Sequence, residues 1–501
     1  MIRSWSWLER AAFLTAGLCL ALMAIRTGSA MSFTEPLHVV TSGTEHGPLF
    51  TIWKSMTGAS ITTDRHDIPY DSTVYNWLFY RLYGLFCGLI LAAFGLQDEW
   101  MPTFARLLTL LALPLTVLAA RAAFLRMQDG QDGDSGRPAT ILAVFLAAGP
   151  LIGFWAVTAR PDLWAMLIEI LAVVCYWRLE SASRAKAVLA FAALALLAWS
   201  MKQTNIFSLA GMGLYLLVRL RWRDLFLLSG LSAAGWGATL SLGGPEFVKN
   251  LLFVGIPFNF QVMHPFLVLK GALLKTLPIL TLLGAGLLLA LRSAPDRPKL
   301  FSDERLVFAL CGLGASFLLA FATSVQEGSA ENYYFIPAFF AALAGVRLLA
   351  CLGGASPLWV RGLQGLGWAA MSLALLMIFA GRAGTMSVRH QHQAFVAQRQ
   401  CLQGLTPPYF VKDDYLSLPW MSRPNPPFPL SYSYFDERRV QHPFQQGGIG
   451  GLIGEGFFTT LAFVTDDPPE MLDGTPLSGY TRRPGSCAGM VFMDRAAGAD
   501  Q

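Results

Sequence analysis

Long apolar segments, separated by short polar ones, occupy most of this chain. About 20 apolar residues span the ~30 Å hydrocarbon core of a bilayer, and on that measure the first 382 residues predict about eleven transmembrane helices. From residue 383 onward the pattern changes to short, alternating, β-rich stretches between Pro-rich segments, which predict a small mixed α/β domain. The expected fold is therefore an α-helical polytopic membrane protein with a small C-terminal domain. The predicted spans lie near 11–27, 101–121, 139–158, 162–178, 186–201, 204–219, 224–242, 270–292, 305–325, 333–351 and 364–381.

The pattern divides the chain into a membrane part, residues 1–382, and a polar tail, residues 383–501. Two long polar connections interrupt the membrane part, at 28–74 and 243–269. Within the tail we expect strands in three segments: Tyr409–Val411, Phe458–Val464 and Met490–Phe492.

Basic residues alternate from one connection to the next. Because Lys and Arg are enriched in cytoplasmic loops, the basic connections are expected in the cytoplasm, together with the N-terminus. The tail and the other connections then face the opposite, extracytoplasmic side. The basic set comprises Arg121, Arg126, Arg137, Arg178, Arg184, Lys186, Arg219, Arg221, Arg223, Arg292, Arg297, Lys299, Arg305, Arg347 and Arg361.

One apolar stretch does not fit this alternation. If Tyr75–Gly95 crossed the membrane, every later connection would change sides and the basic set would lie outside. We therefore predict an amphipathic or re-entrant segment at the outer interface, where its aromatic start would be at headgroup depth. The first span has an alternative interpretation as a signal peptide that ends at Gly28–Ala30.

The composition agrees with a membrane protein and excludes one class of partner. Hydrophobic residues make up 54% of the chain and charged residues only 14%, against about 25% charged in soluble domains. The net charge of +5 is explained by the cytoplasmic basic residues. No basic stripe with interleaved aromatics is present, so nucleic-acid binding is not expected.

Two cysteines, Cys401 and Cys487, lie in the tail, and the others lie in apolar segments. An extracytoplasmic compartment is oxidising, so this pair is predicted to form a disulfide. Two free thiols are the alternative.

The first external connection contains a carboxylate with a candidate catalytic role. Glu45 precedes Leu49, Ile52 and Trp53, whose helical spacing predicts a short helix on the membrane surface. At headgroup level Glu45 could accept a proton from an acceptor hydroxyl as a general base. A carboxylate that only caps the helix is the alternative.

The same connection continues with further carboxylates. Asp64, Asp67 and Asp71 are weak candidate ligands for a divalent cation, which prefers oxygen ligands. A solvated turn around Pro69 is the alternative. The sequence establishes no cofactor.

Two later external junctions between spans carry charges. Arg160 and Asp162 flank Pro161, and charges at membrane depth are costly and seldom incidental. Asp162 could instead cap the helix that follows. Lys202 follows the span 186–201 and could either neutralise a lipid phosphate or extend toward headgroups.

A polar junction at the last external connection contains Glu331, Asn332 and Tyr333. An aromatic belt at the interface explains the tyrosine but not its polar neighbours. We interpret all three residues, together with Arg160, Asp162 and Lys202, as candidate substrate-binding residues on the same face of the membrane as Glu45.

In the order and sidedness of these residues, the chain resembles the GT-C superfamily of membrane glycosyltransferases, over roughly residues 8–380. That superfamily includes protein O-mannosyltransferases and the lipid A aminoarabinose transferase, and the likeness is strongest to its bacterial RgtA/B/C/D-like branch. The resemblance is carried by Glu45, the Arg-Pro-Asp junction at 160–162, Lys202 and the segment 331–335. Relatives carry an Asp-Glu pair in the first loop, where this chain has Thr44-Glu45.

The resemblance implies transfer of a sugar from a polyprenyl-phosphate carrier to a glycan, lipid or protein acceptor on the outer face, with inversion at the anomeric carbon. A transporter or flippase for a lipid or envelope precursor is the main alternative. A scaffold subunit whose tail binds an envelope partner is a third. Substitution of Glu45 by alanine would distinguish these hypotheses, because it should abolish the activity of an enzyme and barely affect a scaffold.

Overall fold

The structure is a computed structural model of the full chain. It describes residues 7–32, 37–39, 43–64, 67, 68, 70, 73, 75–128, 136–253, 262–292, 297–325, 329–352, 357–381, 383–413, 416–421, 445–464 and 477–496.

Helices account for most of the described chain, and their bounds follow the apolar pattern. They are α1 (Trp7–Met31), α2 (His46–Met56), α3 (Trp77–Phe94), α4 (Met101–Met127), α5 (Gly136–Ala148), α6 (Asp162–Leu179), α7 (Arg184–Met201), α8 (Phe207–Val218), α9 (Trp222–Phe253), α10 (His264–Lys275), α11 (Leu277–Arg292), α12 (Arg297–Ser302), α13 (Glu304–Thr323), α14 (Phe335–Cys351), α15 (Leu358–Gly381), α16 (Ala383–Leu402) and α17 (Gly448–Gly454).

The polytopic membrane fold predicted from the sequence is confirmed. Among the described residues, eight helices are long and apolar enough to cross a bilayer, and each predicted span contains a helix. The differences concern length and shape. The helices α5 and α8 are short, with 13 and 12 residues. The predicted span 270–292 is bent by 84° between α10 and α11.

The prediction of a long loop at 243–269 is wrong, because helices occupy part of this range. The helix α9 continues through its first part to Phe253, with a break at Gly244, whose φ of 79° is one that glycine adopts readily. Beyond the break, Asn250 accepts a hydrogen bond from the amide of Thr73 at 3.4 Å. This extension therefore contacts the first connection, and the first half of α10 lies in the last part of the predicted connection.

Arg305 and Arg347, two members of the basic set, lie at one end of the helix bundle, which we call the basic end. There Arg305 donates to the carbonyl of Arg126 at 2.5 Å, and Arg347 donates to the carbonyl of Met127 at 2.9 Å. Arg106 lies on the same helix α4, 20 residues before Arg126 and so about 30 Å away. We call that opposite end the loop end.

The helix α3 begins and ends at the loop end. Its N-cap, Asn76, donates to the carbonyl of Trp199 in the last turn of α7, at 2.9 Å. Just beyond its C-terminus, Asp98 accepts a hydrogen bond from the indole of Trp53 in α2, at 2.9 Å. By length and composition α3 could cross a bilayer, but a crossing helix would have its termini at opposite ends. The contacts therefore support the predicted interfacial segment.

The tail forms the predicted mixed domain around a four-stranded sheet. Its strands are β3 (Tyr409–Lys412), β4 (Thr460–Phe463), β5 (Tyr480–Arg482) and β6 (Val491–Arg495), in the order β3-β4-β6-β5. The strands β3 and β4 are parallel, and the other pairs are antiparallel. The strand β5 was not predicted, and residues 448–451 begin the helix α17. A disulfide joins Cys401 on α16 to Cys487, the pair predicted from the sequence.

The tail packs against the first connection. Tyr70 lies in the apolar core between the sheet and α17 and donates to the carbonyl of Gln445 at 2.8 Å. Trp420 lies 6.4 Å from Trp53, measured between ring centroids. The domain boundary at residue 382 stays a prediction.

Candidate active site

A short hairpin positions Glu45. Strands β1 (His38–Val39) and β2 (Gly43–Thr44) pair antiparallel, with His38 opposite Thr44. The residues flanking this pair therefore meet, and the amide of Leu37 donates to Glu45 Oε2 at 2.7 Å. Glu45 is the N-cap residue of α2 but makes no side-chain capping bond, so the capping alternative does not describe its contacts.

The carboxylate of Glu45 is enclosed by donors. Arg106 donates to Oε2 through Nη2 at 2.7 Å and lies 3.2 Å from both oxygens through Nε. The amide of Ala159 donates to Oε1 at 2.7 Å. Both charged side chains are 0% exposed. A base must reach the hydroxyl that it deprotonates, so Glu45 could act only if one of these donors moved aside.

Arg106 was missed by the sequence analysis. It lies in α4, inside the predicted span 101–121, and also donates to the carbonyl of Ala30 at 3.0 Å. A charge within an apolar span is costly unless it is paired. That cost was a signal for a buried carboxylate partner.

Asp162 is the centre of a second cluster. Its Oδ1 accepts from Lys202 Nζ at 2.5 Å and from Asn332 Nδ2 at 2.6 Å. Its Oδ2 lies 3.4 Å from Arg160 Nε. The described hydrogen bonds of this carboxylate all come from side chains, and the N-cap residue of α6 is Pro161. The cluster unites Arg160, Asp162, Lys202 and Asn332, which come from three junctions far apart in sequence.

Aromatic rings surround these cations. Arg160 lies 4.4 Å from the ring centroid of Trp155 and 5.3 Å from that of Tyr75. Lys202 lies 5.2 Å from the ring of Tyr333. Ring faces attract cations without neutralising them. Tyr75 and Trp155 were not predicted, because an aromatic residue at an interface is expected in any membrane protein.

Among the described residues, the cluster combines two cations with one carboxylate. Arg160 and Lys202 both pair with Asp162, while Glu45 and Arg106 pair with each other. Burial lowers the pKa of the Lys202 ammonium, and the charge of Asp162 opposes that shift. Two cations beside one carboxylate in a largely buried pocket favour an anionic ligand.

Some polar atoms of the site have no protein partner. Among the described residues, Asn332 Oδ1 and Thr158 Oγ1 are buried without a hydrogen bond. Buried polar groups are normally satisfied, so these two atoms are available to a ligand or water.

The candidate Glu331 has a different partner from the residues of this cluster. Glu331 pairs with Lys275 at the end of α10, at 2.8 Å, rather than with the cations around Asp162. Among the described residues no group of three His, Cys, Asp or Glu side chains could hold a metal ion. Asp64 and Asp67 belong to that described set, whereas Asp71 lies outside the described residues.

An apolar groove of about 600 Å³ begins beside the site. Met201, next to Lys202 in sequence, lines the part of the groove toward the loop end, and Arg178 lines the part toward the basic end. From Trp164 to Arg178 along α6 the groove extends for about 21 Å. Its lining is Leu78, Leu82, Leu115, Leu118, Ala119, Ala122, Trp164, Leu167, Ile168, Leu171, Val174, Arg178, Leu197 and Met201.

Solved structures share this architecture. ArnT from Cupriavidus metallidurans matches the chain in its undecaprenyl phosphate-bound and apo states, with TM-scores of 0.57 and 0.56 at 16% sequence identity. Each match covers 96% of this chain and 98% of that chain. The Archaeoglobus fulgidus oligosaccharyltransferase in complex with Zn and sulfate matches with a TM-score of only 0.42 at 14% identity, covering 88% of this chain and 58% of that one.

No family model matches the chain, and no curated protein matches it. At 16% identity the likeness to ArnT concerns the fold. It agrees with the resemblance found in the sequence, and this chain shares the fold of ArnT.

Proposed function

We propose that the chain is an integral membrane glycosyltransferase that moves a sugar from a polyprenyl-phosphate donor to an acceptor of the cell envelope. The observation that carries the proposal is the buried pair of cations, Arg160 and Lys202, which share one carboxylate in a pocket beside an apolar groove. The GT-C fold and the undecaprenyl phosphate bound to ArnT support it.

The cations suit the leaving group. When the bond between the anomeric carbon and the phosphate oxygen breaks, negative charge grows on the phosphate of the carrier. Preorganised cations in a water-poor site stabilise such charge strongly. Lys202 and Arg160 would bind this phosphate, with Asn332 and Tyr333 beside it.

The groove suits the isoprenoid chain. A polyprenyl tail cannot leave the bilayer, so its binding surface must be apolar and lie at membrane depth. The groove is apolar, lies along the predicted span formed by α6, and is lined by Met201, the residue before Lys202. The donor would therefore have its phosphate in the cationic pocket and its chain along α6.

The acceptor hydroxyl must lose a proton as its oxygen bonds to the anomeric carbon. Glu45 remains the predicted base. For it to accept the proton, a hydrogen-bond donor such as Arg106 must first move away from its carboxylate. Asp162 is the other carboxylate of the site. A phosphate that draws Lys202 and Arg160 toward itself would free an oxygen of Asp162 to accept the proton.

The finer assignments belong to this proposal. The sugar is a hexose or pentose, the acceptor is a glycan, lipid or protein, and the reaction faces the periplasm of a bacterial inner membrane. A divalent cation stays a candidate cofactor through Asp64, Asp67 and Asp71.

Product analysis in proteoliposomes tests the proposal against transport. Vesicles with the purified chain would receive polyprenyl phosphates that carry labelled sugars, together with envelope extracts as acceptors. We expect free polyprenyl phosphate and a labelled acceptor. Intact donor that moves between leaflets without bond cleavage would contradict the proposal and favour a flippase.

A further inference from the structure

Arg106 is a fully buried cation whose contacts join separate parts of the chain. Its Nη1 donates to the carbonyl of Ala30 near the end of α1, at 3.0 Å, and its Nε and Nη2 hold the carboxylate of Glu45. Glu45 in turn accepts from the amides of Leu37 and Ala159. One ion pair therefore fixes α1, the first hairpin, α4 and the turn before α6 relative to one another.

The turn before α6, residues 158–162, contains two residues of the candidate site. Ala159 directly precedes Arg160, and Asp162 follows two residues later as the first residue of α6. The only side chain that the Ala159 amide contacts among the described hydrogen bonds is Glu45. If Glu45 moved, the turn would lose this anchor, and the two charged groups would shift relative to Lys202, which comes from α7.

We propose that Arg106 is a positioning residue that, through Glu45, holds the 158–162 turn and thereby sets Arg160 and Asp162 for the phosphate of a polyprenyl-linked substrate. This inference rests on the proposed function. It does not depend on whether Glu45 also accepts a proton, because Arg106 acts on the placement of the turn.

A second buried pair provides a matched control. Arg347 lies 3.0 and 3.1 Å from the two oxygens of Asp303 through Nε, and its Nη1 donates to the carbonyl of Met127 at 2.9 Å. Like Arg106, it bonds to a carboxylate and to a backbone carbonyl. It lies at the basic end, away from the candidate site.

The informative variants keep the buried charge balanced. Arg106→Lys retains the charge but cannot reproduce the planar fork that bonds a carboxylate and a carbonyl together. The double variant Arg106→Met/Glu45→Gln removes both charges, which buried pairs often tolerate better than loss of one partner. The matched controls are Arg347→Lys and Arg347→Met/Asp303→Asn.

Two measurements on the full-length protein in detergent test the proposal. The first is the dissociation constant for undecaprenyl phosphate, and the second is amide hydrogen exchange in the segment 155–165. We expect both Arg106 variants to bind undecaprenyl phosphate on the order of 10-fold more weakly and to exchange faster in this segment. The Arg347 variants should keep wild-type values for both, even where they lower the melting temperature.

Wild-type binding and exchange in a folded Arg106 variant would overturn the proposal, as would equal losses in the Arg347 controls. If the wild type itself failed to transfer sugar or to bind undecaprenyl phosphate, the proposed function would fail instead. Hydrogen exchange would still report whether Arg106 holds the turn, so the two failures are distinguishable.

Discussion

At the scale of single residues, two carboxylates organise the candidate site: Glu45 pairs with Arg106, and Asp162 pairs with Lys202 and Arg160. From the sequence, Arg160, Asp162 and Lys202 could be grouped because a charge at a helix junction in a membrane is costly. Their hydrogen bonds could not be predicted, since they depend on how α6, α7 and the segment 331–334 approach one another. Glu45 was placed at the start of a surface helix, yet its enclosure by Arg106 arises only in the folded bundle.

A prediction at this scale concerns the charge of Lys202. Burial lowers the pKa of its ammonium, so the charge is lost at a lower pH than for an exposed lysine. Phosphate binding needs the protonated form, and affinity for undecaprenyl phosphate should therefore fall as the pH rises toward that lowered pKa. Lys202→Arg should remove this alkaline loss, because arginine stays charged.

The measurement is the dissociation constant from pH 6 to about 10, with Lys249→Arg as control, since Lys249 forms a mainly exposed pair with Glu246. An identical alkaline loss in the wild type and in Lys202→Arg would show that Lys202 does not bind the phosphate.

At the scale of elements, the apolar pattern predicted the helices well and their shapes less well. The break in α9 at Gly244, next to Pro245, and the bend between α10 and α11 are changes of backbone direction, which hydropathy does not report. For α3 the alternation of basic residues was more informative than hydropathy, because a membrane crossing by this segment would change the side of every later connection. The strand β5 is short and mostly exposed, so it has no alternating pattern to recognise.

The placement of α3 gives the second prediction. Ala59 lies before α3 and Gln97 after it, and both are exposed at the loop end, whereas Ser181 is exposed at the other end. Cysteines placed singly at 59 and 97 should react with an impermeant maleimide added to intact cells. A cysteine at 181 should react only after permeabilisation. Opposite labelling of 59 and 97 would show that α3 crosses the membrane.

The disulfide gives the third prediction. Cys401 and Cys487 are separated by 86 residues, and closing such a loop stabilises a fold by about 4–5 kcal/mol in the chain-entropy model. Cys401→Ser should therefore make the tail more sensitive to limited proteolysis, whereas Cys175→Ser should not. Two thiols in the tail that react with an alkylating reagent without reductant would contradict the bridge.

At the scale of the whole molecule, charge sorts the two ends of the bundle. At one end, the side chains of Arg305 and Arg347 donate to the carbonyls of Arg126 and Met127. The candidate site, the first connection and the tail meet at the other. The sequence could predict this sorting, because a membrane imposes sidedness on every connection. The contact of the tail with Tyr70 and Trp53 could not be predicted, since it joins segments with no shared pattern.

The central claim is that the buried cations serve transfer from a polyprenyl-phosphate donor. Its most direct test is the initial rate of sugar transfer in proteoliposomes for the wild type, Lys202→Met and the control Lys249→Met. We expect Lys202→Met to lower the rate by at least ~10²-fold, as for loss of a group that stabilises developing charge, while Lys249→Met keeps the wild-type rate. Transfer by Lys202→Met at the wild-type rate would contradict the account.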